Sequence, residues 1–514
     1  MITNAIGRAV PEQIEGYGRV KPFAGAFNTP PDMKRAAPAV KMRRPGESKL
    51  HGSLEEVFRA IPVKDGMTVS FHHHFRNGDY VLNMVLDTAA RLGIKDLTVA
   101  MTALFPVHKP LLDHIKNGVV TDITTNYMSG PVADAVTRGI LKRPVIMRTH
   151  GGRHRAIECG ELKIDVAFIA APACDDYGNL NGVMGPAACG SLSYAMADAE
   201  YADHVVVLTD FLCDYPLSPV SISQTRVDYV VKVDAIGDPK GIVSGTIRSI
   251  KDPVQLRIAQ MAANVIKASG LIREGLSFQT GAGGATLATA QYLSKMIEEA
   301  GVTASFSVGG TTSFIVNMLN RGLLRKILDV QDFEREPIES IGSNPNHLEV
   351  SVDEYANPFN SGCIVNRLDT VILGATEIDM DFNVNVTTGS SGLIMGGSGG
   401  HSDSAAGAKL TIIVANLLRG RLSTVVDKTL TVTTPGESVD VLVTERGIAV
   451  NPLRKDLLEK MKAAGLPVKE IGELKAEAEK LAGVPGKIKT GDRAVAAIEY
   501  RDGTIIDVVR QVLD

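Results

Sequence analysis

The chain has 514 residues, 44% hydrophobic and 22% charged, enough to bury more than one core, and two or three domains are expected. Lysine and arginine number 54 against 58 acidic residues, a formal net charge of -4 that lacks the basic excess phosphate-backbone binding needs, so no nucleic-acid partner is expected. The N-terminus has no apolar signal core, no stretch reaches the roughly 20 apolar residues that span a bilayer, and five scattered cysteines form no C-x-x-C pair; a cytoplasmic chain is expected, without membrane contact, disulfides or metal.

Residues 1–45, with repeated Pro, Gly and basic residues, read as an arm over a domain or against a neighbouring subunit. From GMTVSFHHH (66–74) a strand, a polar loop, the amphipathic helix in DYVLNMVLDTAARLG and the strand DLTVAMTAL form a βαβ unit. The rhythm recurs in KIDVAFIAAP (163–172), the helix-like SLSYAMADAEYA and the strand HVVVLTDF (204–211), which predicts a largely parallel sheet. The helix PVQLRIAQMAANVIKASGLI leads away from it. The alternation then restarts with LSFQTGAGG, the helix ATLATAQYLSKMIEEAG, the strand TASFSVGG and a helix through TSFIVNMLNRGLLRKIL. The expected fold class is α/β, with two tandem domains at 46–264 and 265–514 behind the 1–45 arm. VDVLVTERGIAVNP reads as a strand, and the Lys/Glu-rich stretch after it as solvent-facing helices.

Four segments are candidates for chemistry. FHHHFRNGD (71–79) lies at a strand end, where α/β proteins hold ligands. Three successive histidines alternate in direction and do not converge on one metal, but His72 and His74 share a face and with Arg76 would form a cationic lip for a polycarboxylate; a surface loop without function is the other reading. In HGGRHRAIECGELKIDVAFIAAPACDDYGNLNGVMG (150–185), Cys174 has no motif to supply a base and reads as a packed thiol, and Asp175 and Asp176 as turn residues.

TGAGGAT (280–286) sits between a strand and a helix, yet Thr286 stands where a dinucleotide fingerprint needs glycine, which disfavours a nicotinamide or flavin enzyme. Gly281, Gly283 and Gly284 then either leave bare N–H groups for a carboxylate or phosphate, or form a tight turn. The stretch GSSGLIMGGSGGHSDSAAGAK (389–409) is dense in glycine between two apolar runs, where a flexible linker fits poorly. Its Gly396, Gly397, Gly399 and Gly400, followed by His401, Ser402 and Asp403, suit an oxyanion pocket.

DVAFIAAPACDDYGNLNG, FQTGAGGATLATAQYL and GGSGGHSDSAAGAK together resemble the CoA-transferases, and with FHHHFRNGD and SNPNHLEVSVDEYANPFNSG the chain is similar to the citrate lyase alpha subunits. The resemblance runs from about residue 45 to the end. It implies two CoA-transferase-like α/β domains with an active-site cleft between them. The implied reaction exchanges acetate for citrate on a thioester, the first step of citrate cleavage to oxaloacetate and acetate.

The thioester is implied to sit on the phosphopantetheine arm of an acyl carrier protein subunit, or on acetyl-CoA, with no cofactor bound covalently to this chain. A citryl-lyase beta subunit and further copies of this chain in a larger complex are the other implied partners. Many CoA-transferases carry a nucleophilic Glu after the strand that follows the TGAGG-type loop. Here that strand reads SFSVGGTTSF, and the position falls near Gly309. A direct route is therefore expected, with citrate's carboxylate attacking the thioester, the glycine loop holding the oxyanion, His401 or Arg76 neutralising citrate's charge and Asn357 orienting a carboxylate. A free-standing transferase using soluble CoA and a sugar-phosphate-binding regulator are the alternatives.

Overall fold

The computed structural model describes residues 1–28, 34–242, 252–281, 283–484, 486 and 488–513. Part of the N-terminal arm (29–33) and Ala282 of the TGAGGAT loop lie outside the described residues.

Two large sheets organise the chain. The first runs, in spatial order, Ile505–Val512, Thr490–Glu499, Val145–Met147, Val120–Thr125, Leu97–Met101, Thr68–Phe71, Val166–Ala171, His204–Thr209, Tyr229–Lys232 and Leu50–His51. The second runs His347–Glu349, Leu324–Asp332, Ala304–Thr311, Ser277–Thr280, Thr370–Gly374, Leu410–Val414, Val441–Thr444 and Gly447–Val450. In each sheet one strand, Thr68–Phe71 or Ser277–Thr280, is flanked on one side by the sheet strand that follows it in the chain and on the other by the fourth sheet strand after it. Such a switch point leaves a crevice at the strand ends, because the connections on its two sides run in opposite directions. FHHHFRNGD follows one of these strands and TGAGG follows the other.

All pairings inside the two sheets are parallel except those of the terminal hairpins, 490–499 with 505–512 and 441–444 with 447–450. Parallel strands are covered on both faces, which is why Val166–Ala171 is apolar and buried at every position. The hairpin Thr490–Glu499/Ile505–Val512 pairs with Val145–Met147, so the chain's last strands return to the first sheet instead of extending the second. The N-terminal residues Val10, Ile14 and Val20 pack against it, on Ala497, Ile505 and Val508 of the same chain.

Local signals explain most elements. The helix Pro253–Ser269 begins with Asp252 accepting the Val254 N–H, has Pro at its first position and ends at Gly270 with φ 87°. One reading is corrected: TSFIVNMLNRGLLRKIL is not one helix. The helix Ser313–Asn320 stops before Gly322, whose φ of 73° is left-handed, and Leu324–Asp332 is a strand. VDVLVTERGIAVNP is likewise a hairpin and not a single strand. Among the described residues no helix is long and apolar enough to cross a membrane.

Candidate active site

A cleft of about 590 Å³ opens between the two halves. Tyr127, His150 and Tyr194 wall it from the first half. Gly281, Gly283 and Gly284, Gly309 and Gly310, Gln331, Phe333, Tyr355 and the loop from Gly397 to His401 wall it from the second. Two segments about a hundred residues apart in sequence, TGAGG and GGSGGH, thus meet in one crevice.

Glycine is required in the GGSGGH loop by close packing. A Cβ on Gly397 would collide with the Asn126 carbonyl oxygen, and one on Gly400 would stand 2.6 Å from the Tyr355 hydroxyl. That hydroxyl is held by Gln279, whose Nε2 lies 2.8 Å away. The four glycines expected to offer N–H groups divide into two pairs. Gly396 donates to the Thr387 carbonyl at 3.1 Å and Gly399 to that of Asn126 at 3.3 Å, so these two are spent on the fold, and Gly396 does not line the cleft. The N–H groups of Gly397 and Gly400 meet no acceptor among the described residues, and both glycines line the cleft.

His401 lines the cleft but is not the free cation expected. Its Nε2 lies 2.9 Å from the Gly374 carbonyl oxygen and its Nδ1 2.7 Å from Thr434 Oγ1, and burial pulls its pKa down to about 4. A donor on Nε2 and an acceptor on Nδ1 describe a neutral imidazole that fixes the loop.

Arg76 stands behind one wall of the cleft. Its φ of 52° is rare for a residue with a Cβ, and it carries the guanidinium over the ring of the cleft residue Phe333, 4.8 Å from the centroid. Nη1 is buried with no hydrogen-bond partner, and burial lowers the guanidinium's pKa while Tyr127 and Tyr194 raise it. Arg76 is not itself among the residues that line the cleft, whereas Arg419 is.

His72 and His74 do share a face, their rings 5.9 Å apart, but that face turns into the first half and neither lines the cleft. His72 Nε2 lies 3.3 Å from Asp198 Oδ2, and Asp198 also takes both prongs of Arg153. Burial drives His74 down to about 3. The histidine that reaches toward the cleft is His73, whose Nε2 meets Gln331 Oε1 at 3.1 Å. Strand alternation separates 73 from its neighbours without saying which face is inward.

Asn357 and Asp403 are also structural, and neither lines the cleft. Asn357 Nδ2 donates to Glu158 Oε2 and to Asp353 Oδ1, each at 2.8 Å, and its Oδ1 accepts from Phe359 N–H at 2.9 Å. Asp403 accepts from Thr149 Oγ1 at 2.8 Å and Gly151 N–H at 2.9 Å, which pins the glycine loop's helix, His401–Gly407, to the start of the helix His150–Glu158. Sequence reading singled out none of His150, Tyr194, Gln279, Gln331 and Tyr355, although Gln279 and Tyr355 stand inside quoted motifs, because their roles come from contacts that only the tertiary fold makes.

Three comparisons bear on this arrangement. Residues 47–512 match the family described as citrate lyase, alpha subunit (CitF). The chain is 48% identical to the citrate lyase alpha chain of Klebsiella pneumoniae over 96% of each chain, and 49% identical to that of Escherichia coli K12 over 95% of this chain and 94% of the other. The chain belongs to the citrate lyase alpha-subunit family. A crystal structure of a citrate lyase alpha subunit from Streptococcus mutans in complex with citrate superposes with a TM-score of 0.96 at 49% identity, covering 99% of this chain and all of that one. A malonate decarboxylase alpha subunit from Acinetobacter baumannii, 16% identical with a TM-score of 0.62 over 85% of this chain and 90% of the other, shares the fold. Like other citrate lyase alpha chains, this one is an enzyme, a transferase.

The family assignment gives weight to what stands at Gly309. It lines the cleft with φ 105°, a conformation that L side chains rarely adopt, and a Cβ there would press against Gln279 Cδ at 3.2 Å. No glutamate fits that backbone without strain. The candidate carboxylates that follow Gly309 in the sequence and could stand in for a glutamate are Glu349, Asp353, Glu354, Glu377 and Asp379; none of the five lines the cleft, and Glu349 Oε1 is occupied by the Leu192 N–H at 2.6 Å. Sequence reading pointed to no metal ligands, but among the described residues Asp329, Asp332 and His347 bring ligand atoms within 4.8 Å of one another, outside the cleft lining.

Proposed function

We propose that the cleft between the two halves is where acetate is exchanged for citrate on a thioester, by direct attack and without an acyl-enzyme. The exchange itself follows from family membership, which leaves the free-standing CoA-transferase and the sugar-phosphate regulator unsupported. The observation that carries the direct route is the pairing, in one cleft, of two backbone N–H groups without acceptors among the described residues, on Gly397 and Gly400, with a glycine at 309, near which the resemblance to covalent CoA-transferases puts their glutamate.

Citrate enters with its charge offset by Arg76. The substrate it meets is an acetyl thioester on the phosphopantetheine arm of an acyl carrier protein, which this chain does not itself hold covalently. A citrate carboxylate oxygen attacks the acetyl carbonyl carbon, and the N–H groups of Gly397 and Gly400 meet the oxyanion that forms. One such donor is typically worth about 10²–10³ in rate. The adduct collapses by expelling the thiolate, leaving a mixed acetyl–citryl anhydride. The thiolate then attacks the citryl carbonyl and acetate leaves, so one thioester replaces another. A citryl-lyase beta subunit would cleave the product to oxaloacetate and regenerate the acetyl thioester, in a cytoplasmic complex holding further copies of this chain.

The test is to incubate the purified chain with citrate and acetyl thioester, on acyl carrier protein and separately on CoA, and identify the products by mass. Citryl thioester and acetate are expected in equal amounts. A citryl thioester formed undiminished by the Gly400→Ala variant would place the oxyanion site elsewhere.

A further inference from the structure

Buried charges normally come with counter-charges, and two facing carboxylates in this molecule share only a histidine. Asp329 and Asp332 end the strand Leu324–Asp332 and are fully buried. Among the described residues no lysine or arginine forms an ion pair with either, and the one basic partner is His347, whose Nε2 stands 2.8 Å from Asp329 Oδ2. One carboxylate oxygen of each aspartate and a ring nitrogen of His347 lie within 4.8 Å of one another. The ring is set by its other nitrogen, Nδ1, 3.0 Å from Ser340 Oγ. Asp332 Oδ2 accepts the Ser191 N–H at 3.0 Å, whereas Asp332 Oδ1 is buried and accepts from no N–H or hydroxyl among the described residues.

We propose that Asp329, Asp332 and His347 form a binding site for a divalent transition-metal ion, zinc or manganese. Two carboxylates with one imidazole make a mixed oxygen and nitrogen set suited to these ions, and the hydrogen bond of the far ring nitrogen to Ser340 fixes the ring as an outer partner fixes a histidine ligand. The ion supplies the missing positive charge and the missing partner of Asp332 Oδ1. Its place is structural. Asp332 holds Ser191 of the first half, and Asp329 Oδ1 holds the N–H of the cleft residue Gln331 at 2.6 Å, so the ion fixes the joint on which one wall of the cleft rests.

The full chain, purified without chelator, is to be assayed for metal by plasma mass spectrometry, then stripped with chelator and titrated with zinc and with manganese while thermal unfolding is followed. Stoichiometric metal is expected, with the midpoint of the stripped chain rising by about 5 °C at saturation. Both effects should vanish in Asp332→Asn and in His347→Gln, with circular dichroism confirming that each folds. No bound metal and no thermal shift would overturn the proposal, and an Asp332→Asn chain as stable as the parent would then identify a proton shared between the two aspartates. Metal retained by both variants would also overturn it, since the ion would lie elsewhere.

Discussion

The side-chain amide of Gln331 grips His73 at two points, its Oε1 3.1 Å from the imidazole Nε2 and its Nε2 3.1 Å from the His73 carbonyl oxygen. This contact joins the end of the strand Thr68–Phe71 to the strand Leu324–Asp332 of the other sheet. Thr102 Oγ1 takes the remaining ring nitrogen at 2.6 Å, and burial holds the imidazole neutral. Gln331→Leu should strand two buried polar groups and cost about 2–6 kcal/mol, at about 1–3 per group. Denaturant unfolding measures it, and a loss below about 1 kcal/mol would mean that water or a rearranged side chain replaces the amide.

Gly400→Ala should lower kcat by about 10²-fold, the usual effect of displacing a positioned group by an ångström. The added Cβ meets the Tyr355 hydroxyl at 2.6 Å but the ring carbons only at 3.4 Å. Tyr355→Phe in the same chain should therefore recover a large part of the loss, although it gives up the bond to Gln279. A double variant as slow as Gly400→Ala would show that the defect is not this collision.

Arg76→Gln should raise the KM for citrate by about 10- to 100-fold, because a charged hydrogen bond is worth about 1.5–3 kcal/mol. The KM for the thioester should change far less. Steady-state kinetics varying each substrate separates the two, and an equal rise in both would point to a general loosening of the cleft.

How much of this was legible in the sequence depends on what each residue does. The Gly-rich loops were visible because a backbone that approaches a ligand or crowds its neighbours leaves a composition signature, and Gly397 and Gly400 carry it. Arg76 was visible as a cation at a strand end. Asn357 and Asp403 looked like ligands for the same reason, since a sequence shows a polar side chain but not whether Glu158 or Gly151 already satisfies it. Tyr355 and Gln279, 76 residues apart, meet only through the tertiary fold. The repeated α/β rhythm foretold two parallel sheets, while the return of 490–512 to the first sheet was hidden because a hairpin's pairing partner leaves no local mark.

The buried histidines should add stability as pH rises between about 4 and 6.5. Burial holds His74 and His150 at about 3 and His154 and His401 at about 4, all below the ordinary value, 6.5, and pulls His73 down as well. The unfolded chain binds more protons on these groups in that window, so their contribution is whole above about pH 6.5 and is lost as pH falls toward the folded values. Burial raises Asp403 to about 6 and Glu158 to about 7, and raises Asp210, Asp332, Glu349, Asp440 and Asp507 too; these carboxyls act in the opposite sense, so the histidine part is read as a difference between variants. Between about pH 4 and 6.5 the thermal midpoint of His401→Gln should rise less than that of the parent. Midpoints that run parallel in parent and variant would contradict a neutral His401.

The direct route is tested most plainly by intact-mass spectrometry of the chain mixed with acetyl-CoA, with and without hydroxylamine, beside a glutamate-dependent CoA-transferase as positive control. A covalent transferase stores the acyl group on its carboxylate and gains mass that hydroxylamine removes. Here the cleft presents Gly309 at φ 105°, and none of Glu349, Asp353, Glu354, Glu377 and Asp379 lines it. The account predicts an unchanged mass under conditions in which citrate is still converted. A stoichiometric, hydroxylamine-sensitive gain that maps to any one of those five carboxylates would contradict it.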